Sequence, residues 1–295
     1  MELLQLQYFQ VIARTQNISA AADELHISQP SLSQLLKRLE QEVGSPLFDR
    51  IGKRIELNAC GVVFLKYVNE VFTALNNAAL EIQTLNQTAS RTVNLSILAA
   101  SMLLPELYHE IKTANPSVLL HILQNDQEHL PYPDELIISS DWKLPDDTSS
   151  CHVLLEEEIR LALPLGHPLL AKPSICLDDL KAESFISLSP ASPLACILSH
   201  YFAGRNYKPN ITTYIDNPDI MRKLLNARIG LAFIPALTWY GFSSADIILR
   251  KVDDLPMKRF LFLQWNPDAF LTPSVLQCRD AIIRYFDDKI FNTFA

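Results

Sequence analysis

The stretch HISQPSLSQLLKRLEQEVG, residues 26–44, decides the fold of the first part of the chain. Its leucines recur at helical spacing, while Ser28 and Pro30 supply the capping residue and the first-turn proline that are typical of a helix N-terminus. The first half of this helix carries serine and glutamine, and no charge occurs before Lys37. Neutral hydrogen-bonding groups are an unusual choice for a solvated face, but they suit the edges of DNA bases.

A second helix precedes this stretch, since Ala20, Ala21, Ala22 and Leu25 continue a helical pattern begun by Leu3, Leu6, Phe9 and Ile12. Ser19 is the predicted N-cap of that helix. Because only about three residues separate it from the next helix, the pair predicts a helix-turn-helix, with an ordinary helical hairpin as the alternative. The packing of this motif predicts inward side chains at Ala21, Leu25, Ile27, Leu32, Leu35 and Leu39.

Two strands and a long helix follow. Residues 47–58 alternate apolar and polar side chains around Gly52, which predicts a hairpin with the basic residues Arg50, Lys53 and Arg54 near its tip. From Asn58, a predicted N-cap, a helix should run to about Gln87. Its apolar residues are spaced as in a coiled-coil seam and predict self-association, with packing on the chain's own second domain as the alternative. This seam consists of Phe64, Val68, Val71, Leu75, Ala78, Ile82 and Leu85.

The string AAADELHISQPSLSQLLKRLEQEVGSPLFDR, residues 20–50, resembles the LysR-type transcriptional regulators. The resemblance implies a recognition helix lined by Ser28, Gln29, Pro30, Ser31, Ser33, Gln34 and Lys37, and a wing that carries Arg50 and Lys53. The residues themselves favour base contacts by the glutamines and serines, and phosphate attraction by Lys37, Arg38 and the wing, including Arg54. The family's usual Leu-Thr-x-Ala-Gly stands here as Leu57-Asn58-Ala59-Cys60-Gly61, in which Asn58 keeps the capping role.

From Arg91 onward, strand patterns alternate with helix patterns, which predicts a parallel sheet with covering helices. The resemblance implies an α/β fold overall, with a winged helix-turn-helix, a long linker helix and an effector domain of two subdomains built like a periplasmic binding protein. The chain is expected to cross between subdomains near Leu163 and to return near Gln264. The predicted boundaries are 1–58, 59–90 and 91–295, with subdomain I at 91–162 and 267–295 and subdomain II at 163–266.

A small polar or carboxylate effector is expected in the cleft between these subdomains, near strand ends and helix N-termini. Each candidate could equally be a simple helix cap, and only convergence would make a site. Asp216 and Asp219 would oppose an anion, and no lysine or arginine stands beside Ser101 or Ser189 in the sequence. The segment 124–142 is too short for the helix that the family places there. The candidate effector residues are Ser101, Met102, Ser139, Ser189, Ser192 and Asn217, with Ser140 as a further possibility.

Charge, cysteine content and missing motifs limit the classes of function that the chain could have. The formal net charge of -8 opposes DNA binding at face value, but five of the seven basic residues among 1–90 fall between Lys37 and Arg54. The five cysteines are scattered and predict reduced packing residues, and no metal site is expected. The chain lacks a GxSxG elbow and a glycine-rich phosphate loop, so catalysis is not expected.

The expected protein is therefore a cytoplasmic regulator that binds double-stranded DNA and a small-molecule effector, and that assembles as a homodimer and then a homotetramer, as the resemblance implies. RNA polymerase is a further expected partner, and neither a membrane nor a resident cofactor is expected. Two other classes of protein compete with this interpretation. One is an enzyme, and the other is a sensor or protein-interaction module that has lost DNA recognition.

Overall fold

The computed structural model describes residues 1–51, 54–86, 91–124, 132, 134–146, 148–205, 207–239 and 246–290, with the backbone alone at 50, 51, 54, 289 and 290. The chain forms two compact units, Met1–Gln83 and Thr84–Ala295. No helix in these ranges combines the length and the apolar character needed to cross a membrane.

The first unit is a winged helix-turn-helix followed by a long helix. Three short helices pack around Phe9, whose ring meets Phe48 at 5.6 Å and Phe64 at 5.1 Å between centroids. These edge-on aromatic contacts join the first helix, the hairpin and the long helix in one core. The elements are α1 Leu3–Thr15, α2 Ile18–Glu24, α3 Gln29–Val43, β1 Phe48–Ile51, β2 Arg54–Leu57 and α4 Ala59–Leu85.

Two details of the helix-turn-helix differ from expectation. Asn17, not Ser19, caps α2, because its side-chain oxygen accepts hydrogen bonds from the backbone N–H groups of Ser19 and Ala20. Leu36, not Leu35, joins the buried set with Leu32 and Leu39. Buried positions 32, 36 and 39 follow the helical spacing of four and three residues, which leaves position 35 half-buried at the edge of the stripe.

The hairpin and the start of α4 form as expected. Strands β1 and β2 pair antiparallel, with Phe48 opposite Leu57 and Ile51 opposite Arg54, while the turn residues Gly52 and Lys53 lie outside the described residues. Asn58 caps α4 through a 2.9 Å hydrogen bond from the N–H of Gly61. The helix ends at Leu85, slightly before the predicted end near Gln87, which also lies outside the described residues.

The second unit has helices on a mixed sheet, in which antiparallel pairs stand beside the parallel pairs that the sequence predicted. Its strands are β3 Thr92–Ile97, β4 Leu119–Gln124, β5 Leu136–Asp141, β6 Cys151–Pro164, β7 Ser184–Leu188, β8 Asn210–Ile215, β9 Ala232–Pro235, β10 Ile247–Arg250 and β11 Met257–Gln264. Its α-helices are α5 Leu104–Ala114, α6 Pro193–Phe202, α7 Pro218–Asn226 and α8 Pro273–Tyr285. Short 3-10 turns occupy Ser101–Leu103, Pro168–Ala171 and Leu177–Leu180, and a π turn occupies Phe286–Ile290.

The long strands β6 and β11 belong to both halves of this unit. The main sheet runs β10-β6-β11-β5-β3-β4 with β9 also paired to β6, while β7 and β8 form a separate parallel pair. One hydrophobic core contains Leu155 and Leu261, and the other contains Ile159 and Met257. Along β6 and β11, the side chains therefore pass from one core to the other before the expected crossing points near Leu163 and Gln264. The domain boundaries themselves stay a prediction.

The cysteines are only partly packing residues. Cys151 and Cys278 are buried, and burial raises the pKa of both thiols, that of Cys278 to about 12. Cys60 and Cys196 are exposed, contrary to expectation, because α4 and α6 each turn that position outward.

Candidate DNA-binding surface and effector cleft

The exposed face of α3 carries the neutral polar side chains. Gln29, Pro30 and Gln34 are exposed, and neither glutamine side chain forms a hydrogen bond to a described residue. Lys37 is exposed on the same face one turn later, and no described carboxylate pairs with it. Both glutamines therefore present free amide donors and acceptors beside an available cation.

The serines of α3 are less available than the glutamines. The hydroxyl of Ser28 caps the helix by accepting from the N–H of Ser31 at 3.3 Å, and the two hydroxyl oxygens lie 2.7 Å apart. Ser31 is nevertheless exposed, whereas Ser33 is half-buried. The cap fixes the first turn of α3, so the adjacent Gln29 is presented from a defined backbone position.

Arg38 forms an ion pair with the carboxylate of Glu42. Its Nε lies 3.4 Å from a carboxylate oxygen of Glu42, and the amino group of Met1 lies 2.5 Å from the other oxygen. The hydrogen bond from that amino group is the chief reason why the pKa of Glu42 is lowered, and Arg38 adds to the effect. Arg38 is thus a weaker phosphate candidate than Lys37.

The hairpin is tied to the recognition helix and to α1. The N–H of Leu47, just before β1, donates to the carboxylate of Glu40 at 2.8 Å, and the N–H of Ile55 donates to the carbonyl of Gln16 at 3.3 Å. These bonds set the place of the wing relative to α3. The side chains of Arg50, Lys53 and Arg54 lie outside the described residues, so their role in DNA binding stays a prediction.

The predicted seam of α4 divides into two parts. Phe64 and Val68 pack into the core of the first unit. Further along the helix, Val71 is 42% exposed, Leu75 50%, Ile82 58% and Leu85 77%, and Ala78 is exposed as well. Large apolar side chains exposed in one stripe mark an interaction surface.

The cleft of the second unit brings together the three predicted helix starts. A cavity of about 30 Å³ is lined by Ser101, by Ser192, by Asp216 and Pro218 at the start of α7, and by Arg259. This volume suits about one water molecule, so the cleft is closed around its polar groups. Ser192 also caps α6, since its hydroxyl accepts from the N–H of Ala195 at 3.3 Å.

Arg259 is the residue that the sequence reasoning missed. It is buried on β11 opposite Glu157 on β6, with its Nε 3.0 Å from a carboxylate oxygen of Glu157. Its other nitrogens donate to the hydroxyls of Ser140 at 3.3 Å and Thr238 at 2.7 Å. The signal was present as Glu156-Glu157-Glu158 and Lys258-Arg259, two charged runs inside apolar strands.

The remaining candidate effector residues are not among those lining this cavity. Asn217 caps α7 through the N–H groups of Asp219 and Ile220. Met102 packs against the hydrophobic core of the opposite half, and Ser139 stands opposite Phe262 in the ladder of β5 and β11. Ser189 is half-buried, and its N–H bonds to Ile215. Residues 125–131 and 133 of the shortened segment lie outside the described residues.

Two family models match the chain. "Bacterial regulatory helix-turn-helix protein, lysR family" matches residues 3–62, and "LysR substrate binding domain" matches residues 86–287. Among curated proteins, the chain is 30% identical to the uncharacterized HTH-type transcriptional regulator YybE of Bacillus subtilis, over 98% of this chain and 100% of that protein. It is 28% identical to the Hca operon transcriptional activator HcaR of Escherichia coli, over 90% of this chain and 92% of that protein.

Solved structures share the fold at lower identity. A full-length OxyR variant from Pseudomonas aeruginosa has a TM-score of 0.53 at 20% identity and covers 97% of this chain and 99% of its own. DarR of Vibrio fischeri, in complex with DNA, has a TM-score of 0.51 at 18% identity and covers 96% of this chain and 98% of its own. The effector-binding domain of QuiR, in complex with shikimate, has a TM-score of 0.53 at 18% identity and covers 68% of this chain and 100% of its own.

Proposed function

Because the chain belongs to the LysR family of bacterial helix-turn-helix regulators, we propose that its α3 reads an operator sequence and that α4 pairs two copies of the chain on the operator's two half-sites. The protein is a transcriptional regulator with a DNA-binding domain and an effector-binding domain. What we propose is how its own residues carry out that role.

The proposal rests on the exposure of Gln29 and Gln34 and on their free hydrogen-bonding groups. Both amides are exposed on a capped helix and form no hydrogen bond to a described residue. A glutamine amide can form two hydrogen bonds at once with the major-groove edge of adenine, accepting from N6 and donating to N7, whereas a lysine on a phosphate adds attraction without sequence information. The glutamines therefore supply base preference and Lys37 supplies phosphate attraction, with Ser28, Pro30, Ser31, Ser33 and the basic wing completing the surface.

The exposed stripe of α4 supports a dimer as the oligomeric state. Val71, Leu75 and Ile82 would be covered by the same stripe of a second chain. Such a dimer presents two recognition helices, which suits a pseudo-palindromic operator, and two dimers would occupy neighbouring half-sites as a tetramer. Contact with RNA polymerase, a cytoplasmic location and the lack of catalytic activity belong to the same proposal.

Effector binding is proposed at the cleft of the second unit. Arg259 gives this cavity a buried cation and Ser101 a hydroxyl, although Asp216 and the pairing of Arg259 with Glu157 offset the positive charge. An effector larger than water requires the two halves to separate around β6 and β11. QuiR supports the proposal by analogy, since its effector-binding domain has the same fold and is in complex with shikimate.

Specific binding at increasing salt concentration tests the proposal. We expect the full chain to prefer a duplex from its own upstream region over a random duplex at low salt. Affinity for both should fall as salt rises, because phosphate contacts release counterions. Equal affinity for the two duplexes at every salt concentration, measured by gel shift, would contradict a role in operator recognition.

A further inference from the structure

A second and larger cavity lies within one half of the second unit, Thr84–Ala295, called the effector unit from here on. It has a volume of about 400 Å³ and is bounded by α6, by the parallel pair β7 and β8, and by the loop that follows α6. Pockets for small ligands usually measure from about 300 to 1,000 Å³. The cleft cavity described above, at about 30 Å³, is much smaller.

The lining of this cavity is mainly apolar, with one cation and with hydroxyl-bearing residues at Ser187, Ser199 and Tyr214. Phe185, Phe202, Phe233 and Leu198 contribute rings and a branched side chain, and Lys208 is the charged lining residue. Lys208 is exposed and pairs with no carboxylate among the described residues. A wall of this kind complements an apolar molecule that carries a single negative charge.

Tyr207 adds an aromatic ring to the same wall, while its hydroxyl has no accessible surface in the cavity. The residue is 8% exposed, and its buried hydroxyl has no hydrogen-bond partner among the described residues. Burial raises the pKa of Tyr207, and the nearby Glu183 carboxylate raises it further, so the hydroxyl stays protonated and remains a donor. Because this hydroxyl has no accessible surface, Tyr207 contributes its ring alone to the pocket.

We propose that this pocket binds a small monocarboxylic acid with an aromatic or branched aliphatic body, its carboxylate held by Lys208 and its body among the rings. The mainly apolar walls disfavour dicarboxylates and sugars, since one cation and a few hydroxyls do not replace the full hydration of such polar ligands. This inference deepens the proposed function by assigning an effector class and a site other than the cleft.

The position of α6 links the pocket to the rest of the unit. Leu188 and Leu194 line both this pocket and the cleft cavity. Along the same helix, the ring of His200 stacks on Trp142 at 3.7 Å between centroids, and the Tyr201 hydroxyl donates to the carbonyl of Lys258 on β11 at 2.9 Å. A ligand under α6 therefore touches the helix that contacts the strands joining both halves.

Calorimetric titration of the full chain tests the site. Phenylacetate and 4-methylpentanoate are the probes, and their uncharged amides are the matched controls. We expect each acid to bind at least about tenfold more tightly than its amide, because a charge-assisted bond to the ammonium is lost in the amide. Absence of binding by both acids at millimolar concentration, or equal affinity of acid and amide, would overturn the proposal.

Variants locate the binding. Lys208→Met should lower acid affinity to that of the amide, whereas Lys223→Met, an exposed lysine on α7 away from the pocket, should leave it unchanged. Leu198→Trp should fill the pocket and abolish binding. Tyr207→Phe keeps the ring and removes only a hydroxyl without accessible surface, so it should leave acid affinity unchanged.

Acid binding that neither Lys208→Met nor Leu198→Trp weakens would place the ligand elsewhere and contradict the inference. These titrations contain no DNA, so their failure leaves operator recognition standing. Conversely, loss of operator preference would not alter the predicted heats of acid binding.

Discussion

At the scale of single residues, Gly61 shows why the start of α4 tolerates little change. A Cβ added there would meet the carbonyl oxygen of Leu47 at 2.1 Å and a methyl carbon of Leu57 at 2.7 Å. The backbone of α4 thus rests directly on the entry to β1, and Asn58 reinforces this contact by donating to the carbonyl of Pro46 at 3.1 Å. Glycine is required here for close approach of two backbones.

Gly61→Ala should therefore destabilise the first unit. We expect a loss of about 1 to 3 kcal/mol in the free energy of unfolding, which is typical of overpacking in a rigid site. Urea unfolding of the full chain, followed by circular dichroism, measures it. The neighbouring Cys60→Ala changes an exposed side chain on the same helix and should unfold at the unaltered urea concentration. Equal midpoints for the glycine and cysteine variants would contradict the packing described here.

At the scale of elements, local patterns predicted the first unit well. The positions of α3, the hairpin and α4 follow from spacing, caps and proline within short segments, and the structure confirms them. Leu36 is buried where Leu35 was predicted to be buried. The difference depends on the rotation of α3 against α1, and tertiary packing sets that rotation. Sequence alone also could not divide the seam of α4, because Val68 is buried only by the fold of its own unit.

A charge in the exposed part of that seam should disrupt self-association. Leu75→Asp would place a carboxylate where two apolar stripes are proposed to meet, so we expect a lower mass in sedimentation or light scattering. Asn69→Asp is the matched control, since it adds the same charge elsewhere on α4 and keeps an oxygen for the 2.8 Å bond from Gln10. An unchanged mass for the Leu75 variant would refute this assignment of the interface.

The effector unit was predictable in outline only. Alternating strand and helix patterns indicated its fold, and Ser101 and Ser192 do meet in one cavity. Arg259 could not be assigned to that cavity, since the pairing of β11 with β6 joins residues 102 positions apart. The sequence reasoning also missed the pocket under α6, because its lining consists mainly of apolar residues that resemble ordinary core.

At the scale of the whole molecule, the net charge of -8 does not prevent DNA binding. Phosphate attraction needs cations only where the duplex approaches, and Lys37 is exposed there without a described partner. In the proposed function, the neutral amides of Gln29 and Gln34 act where sequence is read. The proposal therefore assigns affinity for any duplex and preference for one sequence to different residues of the same helix.

The most direct test of this division compares Gln34→Ala with Gln41→Ala, an exposed glutamine at the far end of α3. Fluorescence anisotropy would follow both variants on the upstream duplex and on a random duplex at one salt concentration. We expect Gln34→Ala to lose about five- to 100-fold in affinity for the upstream duplex alone, as for one lost bidentate base contact, and Gln41→Ala to bind both duplexes unchanged. An unchanged preference of the Gln34 variant for the upstream duplex, or an equal loss on both duplexes, would contradict this division of roles.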